Sequence, residues 1–317
     1  MTGERVVTEW TTLWPEGDRS PEWSHSGIVV LADGRVVFAE PGGHALILLD
    51  ESTGAATRVP TPTEDGHGLT RSSEGGREIL WIADPGPADG HGQVLRMDVA
   101  ARSFATLAEP GRRPGESEGW KPTSTAVVPP GGGEHAGELW VADGYGRSRV
   151  HVFRVDGSTA TFDGAGTGRP FDCPHGVVID DRGVEPLVVV ADRANRRLVF
   201  LDLDGDFVRE VQDEVLTSPS SLAVRGDDLL VTDLFGGLLR VDPDDAVHEL
   251  VARDRAPQRE AWPNRMEAGA VVRPLLLDGR LNSPHGIAVG QEGQVYLTEW
   301  LLGGRQLRLS LENLKSG

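Results

Sequence analysis

One cysteine, Cys173, stands in 317 residues. No disulfide can therefore close within the chain, and packing and hydrogen bonds must hold the fold. Nowhere do eighteen apolar residues run together, which leaves no segment for a membrane-spanning helix. The opening stretch MTGERVVTEWTTLWPEGDRS lacks the apolar core of a secretory leader, so a cytoplasmic protein is expected. Cations are scarce as well. Lys and Arg number 31 against 49 Asp and Glu, a net charge of −18, the wrong sign for a nucleic-acid partner or an anionic membrane. Aromatic residues make up only 6%. Glycine, at 41, and proline, at 21, are plentiful, and the hydrophobic fraction of 38% suffices for a core. The length could hold one large all-β domain or two smaller ones, and the composition suits a fold rich in tight turns and not a disordered chain. A repeat running through the chain makes it one domain spanning 1–317.

The stretch Phe171 to Asp204 reads as three short strands separated by Asp/Gly/Asn turns, an antiparallel meander. The unit recurs six times. Each copy enters a strand near Gly-Ile, Gly-Val or a Ser/Thr pair, turns, and ends a second strand in Asp or Glu: at Glu40, Asp84, Asp143, Asp192, Asp233 and Glu299. Ser26, His67, Thr123, His175, Ser220 and His285 head the six copies. A unit this thin cannot bury its own faces, and six of them packed radially make a six-bladed β-propeller. Val6 to Thr12 is expected to pair with Gln306 to Leu311 in the last blade, closing the ring and removing an edge. Residues 129–138 read as a hairpin tip, and residues 252–283, with Trp262, Arg265 and Met266, as a long extension that is either a lid or binding element or a variable surface insertion.

Histidine heads copies two, four and six, and Ser or Thr heads the others. A histidine before glycine in a turn can simply bond backbone, and one alone carries little weight. Alternation around a ring instead brings His67, His175 and His285 to one point. Three imidazoles with an open fourth position is the arrangement of a catalytic zinc. Tyr145, one of only two tyrosines, and Arg193 follow second strands at the same rim. A phenol beside a guanidinium and a metal can ionise below its free value of about 10 and act as a general base. Equally, Tyr145 could pack the rim and Arg193 could pair with a neighbouring blade's carboxylate.

Other features carry less. Gly164 to Gly168 imitates a phosphate loop but opens onto Pro170 and no helix. Asp202, Asp204 and Asp206 imitate the start of a calcium loop and leave room for a structural Ca2+, but Phe207 breaks the pattern and a hairpin turn fits better. Cys173 is a conceivable soft ligand, more in keeping with a small buried hydrophobe. His25, His44, His91, His135, His151 and His248 share no repeat position and are expected at the surface. No Gly-x-Ser-x-Gly elbow supports a serine hydrolase.

The run PHGVVID…VVVADRANRRLVFLDLDG resembles an NHL repeat, and the likeness extends over nearly the whole chain. More narrowly, GHGLT with His67, DGYGRSRV with Tyr145, PHGVVID with His175, ADRANRR with Arg193 and SPHGIAV with His285 resemble the peptidyl-α-hydroxyglycine α-amidating lyases. That resemblance implies an NHL-type propeller, one zinc on the three histidines, and Tyr145 and Arg193 as catalytic residues. It also implies a small or peptide-like amide substrate and an upstream oxygenase to supply it. The family's cysteine pairs are absent, and its second catalytic arginine falls on Pro41. The expectation is therefore a different acid group on the substrate, none at all, or a counter-charge from Arg71, Arg147 or Arg265. The function expected is metal-dependent lyase cleavage of the C–N bond of an α-hydroxy-amide. Another zinc-dependent lyase or hydrolase of small metabolites, or a non-catalytic NHL binding scaffold, stays open beside it. A gluconolactonase-like propeller has less support, since its metal site uses carboxylate and amide ligands.

Overall fold

In a computed structural model of the protein, which describes residues 5–88, 90–111, 119–253 and 260–313, each copy of the repeat becomes a four-stranded antiparallel sheet. Blade one comprises Ile28–Val30, Val36–Ala39, Ala45–Asp50 and Ala55–Pro60. Blades two to five follow in chain order, with innermost strands Gly68–Glu74, Ser124–Val127, Pro174–Asp180 and Pro219–Arg225. Blade six takes Pro284–Val289, Val295–Glu299 and Arg305–Asn313 from the C-terminal end and Arg5–Thr12 from the N-terminal end. The expected closure is found, with Val7 opposite Leu311 and Thr12 opposite Leu307. Each innermost strand packs on the innermost strands of its two neighbours, so the six surround one axis as a six-bladed β-propeller.

The apolar runs that mark the second strands follow from burial on both faces. In Leu187–Asp192, Val188 and Val190 pack toward blade three, while Val189 and Ala191 pack toward blade five. The two-residue period of a strand sends alternate side chains to opposite sides, and between neighbouring blades both sides are core. Six apolar clusters result, one in each gap between blades. The outermost strands are the more exposed, as in Ala55–Pro60, where only Val59 is buried.

The acid ending each second strand has a structural task in five blades. It accepts backbone N–H bonds from residues two or three before the head of its own blade's innermost strand. Asp84 holds Glu64 and Asp65, Asp143 holds Lys121, and Asp192 holds Asp172. Asp233 holds Thr217 and Ser218, and Glu299 holds Asn282 and Ser283. These carboxylates pin the loops that deliver the heads to the axis. In blade one Glu40 instead pairs with Arg58.

The 129–138 tip contains a short turn, Gly133–His135, anchored where Glu138 meets Arg154 and His135. Asp202 turns its carboxylate onto the amides of Asp204 and Asp206 at 3.0 and 2.8 Å, a hairpin turn and not a calcium loop. Of the 252–283 extension, residues 254–259 lie outside the described part. The remainder carries a small hairpin, Arg265–Glu267 with Ala270–Val272. No helix of the described residues is long and apolar enough to cross a membrane.

Candidate metal centre

His67, His175 and His285 do converge, each about 1% exposed, at the heads of the innermost strands of blades two, four and six. The register of the inner pair shifts at His175 and again around His285, and a bulge of this kind re-aims a side chain. Each ring is then fixed by its other nitrogen. His67 Nδ1 donates to the Thr123 carbonyl at 2.6 Å, His175 Nδ1 to that of Ser220 at 2.8 Å, and His285 Nδ1 to that of Ser26 at 3.3 Å. A carbonyl oxygen only accepts, so all three Nδ1 atoms carry the hydrogen and all three Nε2 atoms present a lone pair. The acceptors are backbone carbonyls at the heads of the following blades, so each histidine is oriented by the odd blade beside it.

A fourth imidazole joins them, and this overturns the surface position expected for His25. Its Nδ1 bonds Asp65 Oδ2 at 2.9 Å, and its ring lies 4.3 Å from His67 and 4.5 Å from His285 between centroids. The ligand atoms of His25, His67, His175 and His285 all fall within 4.8 Å of one another, the one group of side chains among the described residues suited to an ion. His25 escaped the repeat pattern because it stands one residue before the shared head position. It reaches the axis through the Trp23–Ser24 strand, whose pairing with Leu301–Leu302 has no counterpart in other blades among the described residues. Its one sequence signal was adjacency to the head Ser26. His151, also expected at the surface, is buried against Trp120 and bonded to Thr161, and His135 is half-buried beside Glu138. His44, His91 and His248 are exposed.

Tyr145 and Arg193 complete the centre. The Tyr145 hydroxyl lies 3.0 Å from His175 Nε2, 3.2 Å from His25 Nε2 and 3.4 Å from His67 Nε2. Arg193 Nη1 donates to the phenol oxygen at 3.2 Å, and its Nη2 donates to Ser220 Oγ at 2.9 Å. Arg193 thus bonds the phenol and a neighbouring blade's hydroxyl, with no carboxylate partner among the described residues. Cys173 is no part of the cluster; burial, first of all, pushes its thiol up. Pro41 lies in a turn whose Gly42 amide bonds the Trp23 carbonyl at 2.7 Å. None of the three replacement cations bonds the cluster: Arg71 pairs with Glu78, Arg147 with Glu109 and Arg265 with Glu267.

The electrostatics of the group suit a cation. Burial, then neighbouring charge, holds His67, His175 and His285 well below the usual imidazole value of 6.5, so they are neutral at pH 7. Two bare lone pairs then face each other, His67 Nε2 and His175 Nε2, at 3.1 Å. One phenol has one proton, so it can satisfy only one of the three Nε2 atoms. His285 Nε2 is buried without any hydrogen-bond partner. Unpaired buried acceptors are costly, and an ion that takes nitrogen ligands would pair all of them at once. With no ion at the centre, burial pushes Tyr145 up to about 12, outweighing the pull of Arg193. Tyr145 therefore rests protonated.

No family model matches the chain, and no curated protein does. Among solved structures the fold is shared with a streptogramin B lyase at 16% identity and a TM-score of 0.62, covering 96% of this chain and 98% of that one. It is shared with a catalytically inactive virginiamycin B lyase from Staphylococcus aureus bound to quinupristin, at 13% identity and a TM-score of 0.57, over 94% and 82%. A chain of a nidogen/laminin complex aligns at 18% identity and a TM-score of 0.56, over 84% and 85%. Lyases and a nidogen/laminin complex thus carry this architecture alike, and at such identities the likeness establishes the propeller fold.

Proposed function

We propose that the protein is a zinc-dependent carbon–nitrogen lyase that splits an α-hydroxy-amide into an amide and a carbonyl compound. One observation carries this reading: three neutral, Nδ1-anchored imidazoles aim their lone pairs at a point that also touches a protonated phenol backed by a guanidinium. His67, His175 and His285 would hold the ion. Bound there, zinc supplies Lewis acidity toward a substrate oxygen. Tyr145 carries the proton: its oxygen accepts the substrate hydroxyl proton as its own is delivered to the departing amide nitrogen. The O–H and C–N bonds break, the C=O and N–H bonds form, and no oxidant or reductant is consumed. Arg193 stabilises charge building on the phenol oxygen and is itself oriented by Ser220.

The fourth imidazole favours a second reading, in which His25 closes a four-nitrogen shell and the ion is structural, since closed sites are the structural ones. His25→Ala separates the two. The lyase reading expects zinc to be retained, and the structural reading expects it to be lost. Activity is tested with zinc-loaded protein on N-benzoyl-α-hydroxyglycine and on N-(hydroxymethyl)benzamide, following glyoxylate and formaldehyde release. Because Pro41 supplies no donor for a carboxylate, the carboxylate-free compound should be the better substrate. Failure to accelerate either reaction above the His175→Ala variant would end the lyase reading.

A further inference from the structure

The chain has eight tryptophans, and they divide sharply. Trp10, Trp14, Trp81, Trp120 and Trp140 pack into the apolar clusters between blades. Trp23, Trp262 and Trp300 belong to none of those clusters. They contact one another at an angle: Trp23 meets Trp300 at 5.4 Å between centroids and a 34° tilt, Trp262 meets Trp300 edge-on at 6.0 Å, and Phe235 meets Trp262 at 5.3 Å and a 55° tilt. The row begins at the metal centre, because the Trp300 ring lies 5.6 Å from His25. Trp23 is 42% exposed, and Phe235, Trp262 and Trp300 are half-buried.

These rings are held in place from separate parts of the chain. Trp23 precedes His25 and pairs with Leu302. Trp300 follows the carboxylate Glu299, and its backbone is bonded at both ends to Ser283, at 2.9 and 2.6 Å. Trp262 comes from the long extension, where Asn264 accepts the Leu302 amide at 3.0 Å and the Pro263 carbonyl accepts from Asn282 at 2.9 Å. Ring area left out of the core yet fixed this firmly is binding surface, since aromatic faces lose little entropy on contact.

We propose that this row is a subsite for a planar, uncharged aromatic group on the acyl side of the substrate amide. The inference rests on the lyase reading for the word amide, but the row and its ligand class stand on the rings themselves. A cationic group, the other common guest of tryptophan faces, would lie close to an ion held at the adjacent histidine centre and be repelled. A neutral aryl ring meets no such cost. Continuity with His25 puts the aryl group one short connection from the reacting carbon, so it selects among substrates.

The test compares benzamide with acetamide for binding to the zinc-loaded full chain, by saturation-transfer NMR and by quenching of tryptophan fluorescence. Benzamide should bind at least tenfold more tightly, and Trp262→Ala and Trp23→Ala should each cut that advantage to under threefold with zinc content unchanged. Trp23→Ala guards against misfolding, because its ring is the most exposed of the row. Equal binding of the two amides, or an advantage that survives both substitutions, would overturn the proposal. Benzamide selectivity without any lyase turnover would remove the lyase reading and leave the aryl subsite standing. Turnover indifferent to the acyl group would do the reverse.

Discussion

Blades two, four and six and blades one, three and five are built alike, and they differ at two positions in what they bring to the axis. The even blades begin with His-Gly: His67-Gly68, His175-Gly176 and His285-Gly286. The odd blades begin with Ser26-Gly27, Thr123-Ser124 and Ser220-Ser221. A Cβ at Gly68 would sit 2.5 Å from the Thr123 carbonyl oxygen, one at Gly176 2.5 Å from that of Ser220, and one at Gly286 2.8 Å from that of Ser26. Those are the carbonyls that hold the three Nδ1 atoms. The glycines therefore permit the close approach on which histidine orientation depends, and the odd blades contribute backbone more than side chain. Blade one departs from its class, because a Cβ at Gly27 would meet Leu69 N at 2.7 Å.

Removing the even heads should have the largest effect. His67→Ala, His175→Ala and His285→Ala should each leave dialysed protein almost free of zinc, because losing a ligand exceeds the roughly 10–100-fold cost of losing an outer partner. Elemental analysis reads the result, with His248→Ala as the exposed control. Wild-type protein that holds no zinc after reconstitution would break the comparison at its root. Tyr145→Phe should follow, slowing turnover by about 10²–10⁴-fold while keeping zinc. A rate within threefold of wild type would reduce the phenol to packing.

The even histidines also set a pH dependence. Their folded values lie well below the unfolded 6.5. As pH falls through 6.5 the unfolded chain takes up protons that the folded chain refuses. Stability is therefore whole above 6.5 and declines with acidification toward the folded values. The urea midpoint of metal-free protein should drop between about pH 7.5 and pH 5, and the triple alanine variant should flatten that slope. An equally steep slope in the triple variant would place the titration elsewhere.

The alternation was legible before any coordinates because strand heads, turns and apolar runs are local signals of fixed spacing. Ring closure by Val6 to Thr12 was legible for the same reason. His25 was not, since its route to the axis runs through a two-residue pairing peculiar to one junction. Nor was the row of Trp23, Trp300, Trp262 and Phe235, whose members come from separate segments and meet only in three dimensions. Nor was the depth at which Tyr145 lies, which with no ion present outweighs the neighbouring guanidinium.

Gly176→Ala sharpens the even side of the comparison. A methyl group placed 2.5 Å from the Ser220 oxygen must push the two strands apart, and His175 Nδ1 then loses its acceptor. Zinc affinity should fall by about 10–100-fold, the usual cost of an outer-sphere partner. Ser221→Ala, at the equivalent odd position, should change it little. Equal affinities in the two variants would mean that the close approach has no bearing on the centre.

The smallest effect is the most discriminating, because Ser220 serves both sides of the comparison with different atoms. Its carbonyl oxygen holds His175, and its hydroxyl accepts from Arg193 Nη2 at 2.9 Å. Ser220→Ala keeps the first and removes the second. A hydrogen bond to a charged group contributes about 1.5 kcal/mol at the low end, close to tenfold in rate. Zinc affinity should therefore stay at the wild-type value while turnover drops roughly tenfold, and Ser220→Thr, which restores a hydroxyl, should recover most of it. If zinc affinity falls together with the rate, the odd side chain is helping to build the metal centre, and the division between backbone in odd blades and side chain in even ones is wrong.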